Sequence, residues 1–180
     1  MAGRSTSYRP QAVLGCVTNF SFLHGASHPA EIVTEAERLG WAAVGVADMN
    51  SCAGLVRAHL AADSGAITLL AGACITLSDG PDVICYVRNR NGYESLCQLL
   101  SAVMCRPGRT SKDPLTIHKG ELARLSGDIE LITIPPVQPD TSYRTQCQQI
   151  NLITEARVHA GAYLMRDGCD ESRLEILSRW

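Results

Sequence analysis

The chain has 180 residues, enough for one domain with its own core, and 46% are apolar against 19% charged, which excludes a disordered chain. A formal net charge of −2 excludes a globally basic nucleic-acid binder, although a local basic patch can hide in that average. Eight cysteines lie scattered, most in apolar segments, with no C-x-x-C pair; no signal-peptide pattern opens the chain, and no apolar run reaches the roughly 18 residues of a membrane helix. Reduced, packed thiols in a cytoplasmic protein without a membrane partner are the expectation.

The polar opening, MAGRSTSYRP with Gln11, reads as a loose segment over 1–11 ahead of a domain over 12–180. The run AVLGCV (12–17) predicts a buried strand. HPAEIVTEAERLG (28–40) predicts a helix, with Pro29 in its first turn, Glu31 at the positive dipole end, an apolar face of Ile32, Val33, Ala36 and Leu39, and Gly40 as the stop. WAAVGVA (41–47) predicts a second strand with Asp48 directly after it. SCAGLVRAHLAADSG (51–65) predicts a helix capped by Ser51 and ended by Gly65.

The run 66–77 predicts a third strand, and SDGP turns the chain into a hairpin partner over 82–89. A helix is predicted over 92–104. The loop 105–114 then carries Arg106, Arg109 and Lys112. A short helix is predicted over 115–127, a strand over 128–135, a long helix over 141–161, a strand over 162–167 and a final helix over 170–180 that reaches the last residue without a stop signal. Near-continuous apolar strands alternating with amphipathic helices predict an α/β fold with mostly parallel strands and both sheet faces covered.

In such folds polar groups at the C-terminal ends of strands are the place to look for chemistry. Thr18, Asn19, Ser21 and His24 follow the first strand, Asp48, Asn50 and Ser51 follow the second, and the third strand region holds Cys74. Of these, His24, Asp48 and Cys74 are candidate metal ligands, a weak and degenerate set, since two or three weak ligands do not hold a catalytic metal tightly. Nucleophile-elbow, Walker and dinucleotide-binding motifs are absent. Arg106, Arg109 and Lys112 are candidate phosphate contacts, with a solvated loop the commoner reading of such a cluster.

Four stretches, NFSFLHGASHPAEIV, DMNSCAGLVRAH, LSDGPDVICYVRNRNGYESLCQLLS and LITIPP, resemble in that order the N-terminal polymerase and histidinol phosphatase (PHP) domain of bacterial error-prone DNA polymerases, the C-family enzymes similar to the replicative alpha subunit. The resemblance runs from Ala12 to the end. It implies a distorted (β/α)7 barrel, here partial and cut short at its C-terminus, with metal ions at the strand C-terminal ends in active relatives. The family's H-x-H falls on Gly15 and Val17, a later ligand on His24, the D-H pair on Asp48 and Met49, and a glutamate on Cys74. Four metal positions therefore carry unsuitable residues, which implies a structural, catalytically silent region; any Zn or Mn would meet a degenerate site.

The parent protein would carry out DNA-directed nucleotidyl transfer in lesion bypass and repair. The carboxylates that hold its Mg are not in this chain. The implied partners are the remainder of the polymerase chain, DNA through that parent and accessory lesion-bypass proteins. Exposed edges of a partial barrel predict either a homodimer or a rearranged open sheet. The alternatives are a metal-dependent phosphoesterase or 3′–5′ exonuclease-like hydrolase, and a standalone PHP-shaped interaction module.

Overall fold

A computed structural model of the chain describes residues 11–108, 110, 114–164 and 166–179. The expected loose segment therefore lies outside the described residues except for Gln11. Six strands form one sheet in the order β1 (Ala12–Cys16), β2 (Ala43–Met49), β3 (Thr68–Ile75), β4 (Val83–Val87), β5 (Ile129–Thr133) and β6 (Arg157–Ala160). β1, β2 and β3 pair in parallel, β4 is antiparallel to both β3 and β5, and β5 pairs in parallel with β6. The sheet curls into an open half-barrel. Its two free edges, β1 and β6, both line one apolar groove of about 590 Å³ that also touches Trp41, Ile84, Ile132 and Tyr163.

The helices α1 (Pro29–Arg38), α2 (Leu55–Asp63), α3 (Arg90–Met104), α4 (Thr141–Ile153) and α5 (Asp170–Ser178) follow in chain order, with a 3-10 segment at Lys119–Arg124. α1 starts where its sequence signals place it. Pro29 occupies the first turn, Glu31 Oε2 accepts from His28 N–H at 2.8 Å, and Gly40 follows the last turn with φ +78°. α3 is capped by Asn89, whose side chain accepts from Gly92 N–H at 3.1 Å.

The two faces of β2, β3, β4 and β5 go to different cores. Val44 and Val46 of β2 pack with Val33 and Ala36 of α1 and with Leu55, Ala58 and Ala62 of α2. Ala73 and Ile75 of β3, Val83 and Cys85 of β4, and Ile129 and Leu131 of β5 meet Leu96, Leu99, Leu100 and Val103 of α3. Burying a leucine such as Leu99 completely contributes about 1.5–3 kcal/mol in transfer free energy. The opposite, concave face carries Ala47, Cys74, Ile84 and Tyr86, with Met49, Leu70, Ile132 and Ile134 beside them.

Two sequence expectations are corrected. The predicted long helix over 141–161 stops at Ile153, and residues 157–160 form β6 against β5. The backbone turns extended at Thr154 (φ −108°, ψ 151°), where the β-branched side chain is buried and its hydroxyl accepts from Ala156 N–H at 3.2 Å. The strand expected over 162–167 is accordingly not seen among the described residues of that stretch, which lie beyond the strand itself. The helix expected from Ser51 begins one turn later, with Gly54 at the cap position. Ser51 instead closes a local turn, accepting from Ala53 N–H at 3.0 Å. No helix among the described residues is long and apolar enough to cross a membrane.

Candidate functional site

β1 and β2 deliver a loop, residues 17–28, and an acid, Asp48, to the same end of the sheet. Asp48 is 1% exposed. Its Oδ1 accepts from Thr18 N–H at 2.8 Å, from the Thr18 hydroxyl at 2.8 Å and from the Ser21 hydroxyl at 2.7 Å. Its Oδ2 takes Gly54 N–H at 3.1 Å and lies 2.9 Å from the same Thr18 hydroxyl. Ser21 Oγ in turn accepts from Met49 N–H at 2.9 Å. A buried carboxylate survives only when donors surround it, and here they come from the loop after β1 and from the first turn of α2. Gly54 is required by close approach: a Cβ there would lie 2.4 Å from Asp48 Oδ2.

The pleat decides which side chains share this site. Asp48 has the parity of Val44 and Val46, on the helix-facing side, whereas Met49 and Cys74 face the concave interior. Asp48 and Cys74 therefore do not converge. Burial, with Asp82 adding, pushes the Cys74 thiol up to about 12, so it stays protonated at neutral pH. His24 is exposed, and Asp82 lies in the β3–β4 turn. Burial raises the Asp82 carboxyl, opposed by its bond from Leu77 N–H (3.3 Å) and by His24. Burial likewise raises Tyr163, with Cys74 and Asp82 adding. Asp82 is thus the acid whose electrostatics link it to His24, Cys74 and Tyr163. Asp82 and Tyr163 gave no motif in the sequence, because one sits in a turn and the other beyond the last strand.

Tyr86 lies on the concave face. Its hydroxyl accepts from Gly15 N–H at 2.7 Å and donates to the Gly45 carbonyl at 3.2 Å, bridging β4 to β1 and β2. Gly15 has φ +72° and sits where the β1–β2 register shifts, which turns its N–H out of the ladder and toward Tyr86. Asn50, at φ 49°, ties the end of β2 to Thr76 and to the Leu115 carbonyl, with its amide donating to the latter at 2.9 Å.

These residues do not fit a metal ion. Asp48's oxygens accept from protein donors, and the described residues hold no group of three or more His, Cys, Asp or Glu placed to bind one. Of the basic loop, Arg106 pairs with Glu121 and donates to the Thr116 carbonyl at 3.3 Å; Arg109 and Lys112 lie outside the described residues.

Similarity to known proteins follows this geometry. The chain is 35% identical over 99% of its length to an error-prone DNA polymerase of Sinorhizobium medicae, and 37% identical over 92% to one of Rhodopseudomonas palustris, strain BisA53. It spans only 16% and 14% of those proteins. In fold it is similar to a protein from Bifidobacterium adolescentis described as a candidate metal-dependent phosphoesterase, with a TM-score of 0.65, 16% identity and coverage of 94% of this chain and 84% of that one. It is also similar to an amidohydrolase from Chromobacterium violaceum, with a TM-score of 0.65, 12% identity and coverage of 82% and 76%. The family described as PHP domain matches residues 14–138, so the chain belongs to the PHP domain family.

Proposed function

We propose that the chain serves as the N-terminal PHP region of an error-prone DNA polymerase, buttressing the polymerase core and its DNA path without hydrolysing anything itself. The observation that carries this reading is the Asp48 carboxylate, spent on Thr18, Ser21 and Gly54 rather than left open to a ligand. The whole protein would perform nucleotidyl transfer past lesions in a cytoplasmic repair complex, with Mg held by carboxylates elsewhere in it. DNA and accessory lesion-bypass proteins are reached through that assembly. As an isolated piece the region would dimerise through the open sheet edges.

A second reading is favoured by the electrostatic influence of His24 on Asp82 and of Asp82 on Cys74: a phosphoesterase with weakly held Zn or Mn. One experiment separates them. The purified chain is stripped with chelator, reloaded with Zn or Mn, and assayed for bound metal and for cleavage of bis-p-nitrophenyl phosphate and of a 3′-ended oligonucleotide. Substoichiometric metal and no turnover are expected; one metal per chain with metal-dependent turnover overturns the structural reading.

A further inference from the structure

We infer that α5 is a strap that opens and closes while the rest of the domain stays folded, held shut by the buried guanidinium of Arg173. Of the nine residues of α5, Arg173 alone is buried, at 4% exposure, while Leu174 and Ile176 are exposed. α3 docks in the ordinary way, with Leu96, Leu99, Leu100 and Val103 set into the core. α5 lacks such a face and is anchored by a cation. A helix of nine residues is also too short to be stable in water on its own, so its order depends on that anchor.

The anchor is assembled in the turn that opens the helix. Asp167 Oδ1 accepts from Cys169 N–H at 2.9 Å, and Asp170 Oδ2 accepts from Arg166 N–H at 2.8 Å. These bonds aim the carboxylates at Arg173: Asp167 Oδ2 accepts from Nη2 at 2.8 Å and Asp170 Oδ1 from Nη1 at 2.7 Å. Both acids belong to the same segment as the helix, so they orient the guanidinium and offset its charge without tying α5 to the domain. Nε reaches further and donates to the Val137 carbonyl at 2.8 Å, 36 positions back in the loop between β5 and α4. Pro135, Pro136 and Pro139 restrict the backbone of that loop and so hold the carbonyl in place. Beside this bond the two surfaces stand apart: a hollow of about 470 Å³ lies between Val137, Gln138 and Pro139 on one side and Cys169, Ser172 and Ile176 on the other. A helix with no buried apolar side chain, facing a hollow and held by a charge-assisted bond, opens at a free energy far below that of global unfolding.

The test is hydrogen–deuterium exchange of the native chain, read by mass spectrometry of its peptides. In the wild type the amides of α5 should exchange roughly 100-fold or more faster than those of α3, while the sheet stays protected. Arg173→Met keeps a long side chain without the charge. It should speed exchange in α5 by a further factor of roughly ten, no more than the loss of one charge-assisted hydrogen bond accounts for, and leave both α3 exchange and the urea midpoint at their wild-type values. Arg173→Lys should act in the same direction, since one ammonium cannot reproduce the planar fork that serves Asp167, Asp170 and the Val137 carbonyl together. The proposal is overturned if wild-type α5 exchanges as slowly as α3, because the helix then opens only when the whole domain unfolds. It is equally overturned if Arg173→Met leaves α5 exchange unchanged, or if it lowers the urea midpoint as far as Leu99→Ala does. The wild-type comparison decides the matter even if Arg173→Met fails to fold.

Discussion

Replacing Asp48 by asparagine keeps the shape of the side chain and turns one acceptor oxygen into an NH2 donor. The least damaging placement puts that NH2 at the Oδ2 position, since Oδ1 serves Thr18 N–H, the Thr18 hydroxyl and the Ser21 hydroxyl. The NH2 then faces Gly54 N–H, 3.1 Å away in the wild type, and a buried backbone donor is left unsatisfied at about 1–3 kcal/mol. The surviving bonds to Oδ1 change from charge-assisted to neutral, weakening each by roughly 1 kcal/mol. Relief from burying a charge offsets part of this, for a net loss of about 2–4 kcal/mol. In a chain of this size that is a fall in melting temperature of roughly 5–15 °C.

The assay is urea unfolding followed by circular dichroism, with Asp63→Asn on the exposed side of α2 as a control that should change nothing measurable. A chelator arm accompanies it: EDTA should leave wild-type stability unchanged. The reasoning fails if Asp48→Asn unfolds at the wild-type midpoint. It fails equally if EDTA destabilises the wild type as much as the substitution does, since Asp48 would then owe its partners to a metal.

Tyr86→Phe deletes the hydroxyl that satisfies Gly15 N–H and donates to the Gly45 carbonyl, and should cost about 1–3 kcal/mol by thermal melt. Asp82→Asn should stabilise the chain at pH 7, because burial raises the wild-type carboxyl above its ordinary 3.8 and its ionisation therefore favours the unfolded state. The sign is testable by melting both proteins from pH 7 downward: the wild type should recover relative to the variant as the pH drops through Asp82's raised range, with the gap closed below 3.8. Cys74, at about 12, should resist iodoacetamide in the folded chain while Cys105 and Cys169 label readily, as read by peptide mass spectrometry. Leu99→Ala empties a fully buried position between α3 and the sheet and should lower stability by about 2–5 kcal/mol.

The strands were legible wherever apolar runs were bounded by turn residues. Gly40 after α1, the SDGP turn and the pattern before Asp48 all placed elements within a few residues of their observed bounds. β6 was missed because ARVHA is too short and too mixed to announce a strand, and a good helical pattern led straight into it. What makes 157–160 a strand is the exposed edge of β5, a long-range partner that local propensity does not contain. Listing polar residues after each strand did collect Thr18, Ser21 and Asp48. It did not say that they bond to one another, because the register of β1 against β2 includes a shift at Gly15.

The same limit explains Cys74. Its distance along the strand matched that of Asp48, but a metal site needs side chains on one face, and adjacent parallel strands put Asp48 beside Ala73 and Met49 beside Cys74. The residue that faces the interior next to Cys74 is therefore Met49, the position where the family resemblance expects histidine. The concave side carries Met49 and Cys74 here, and the helix-facing side carries the Asp48 carboxylate. A metal cluster holds the loops around it by bonds to its ligands. In this chain the loop after β1 is held by Asp48 through Thr18 and Ser21, and β1 itself by Tyr86 through Gly15. Both fastenings are hydrogen bonds from neutral donors, so the loop 17–28 should keep its position when a chelator removes metal. The loop after β1 is thus fastened by hydrogen bonds within the chain.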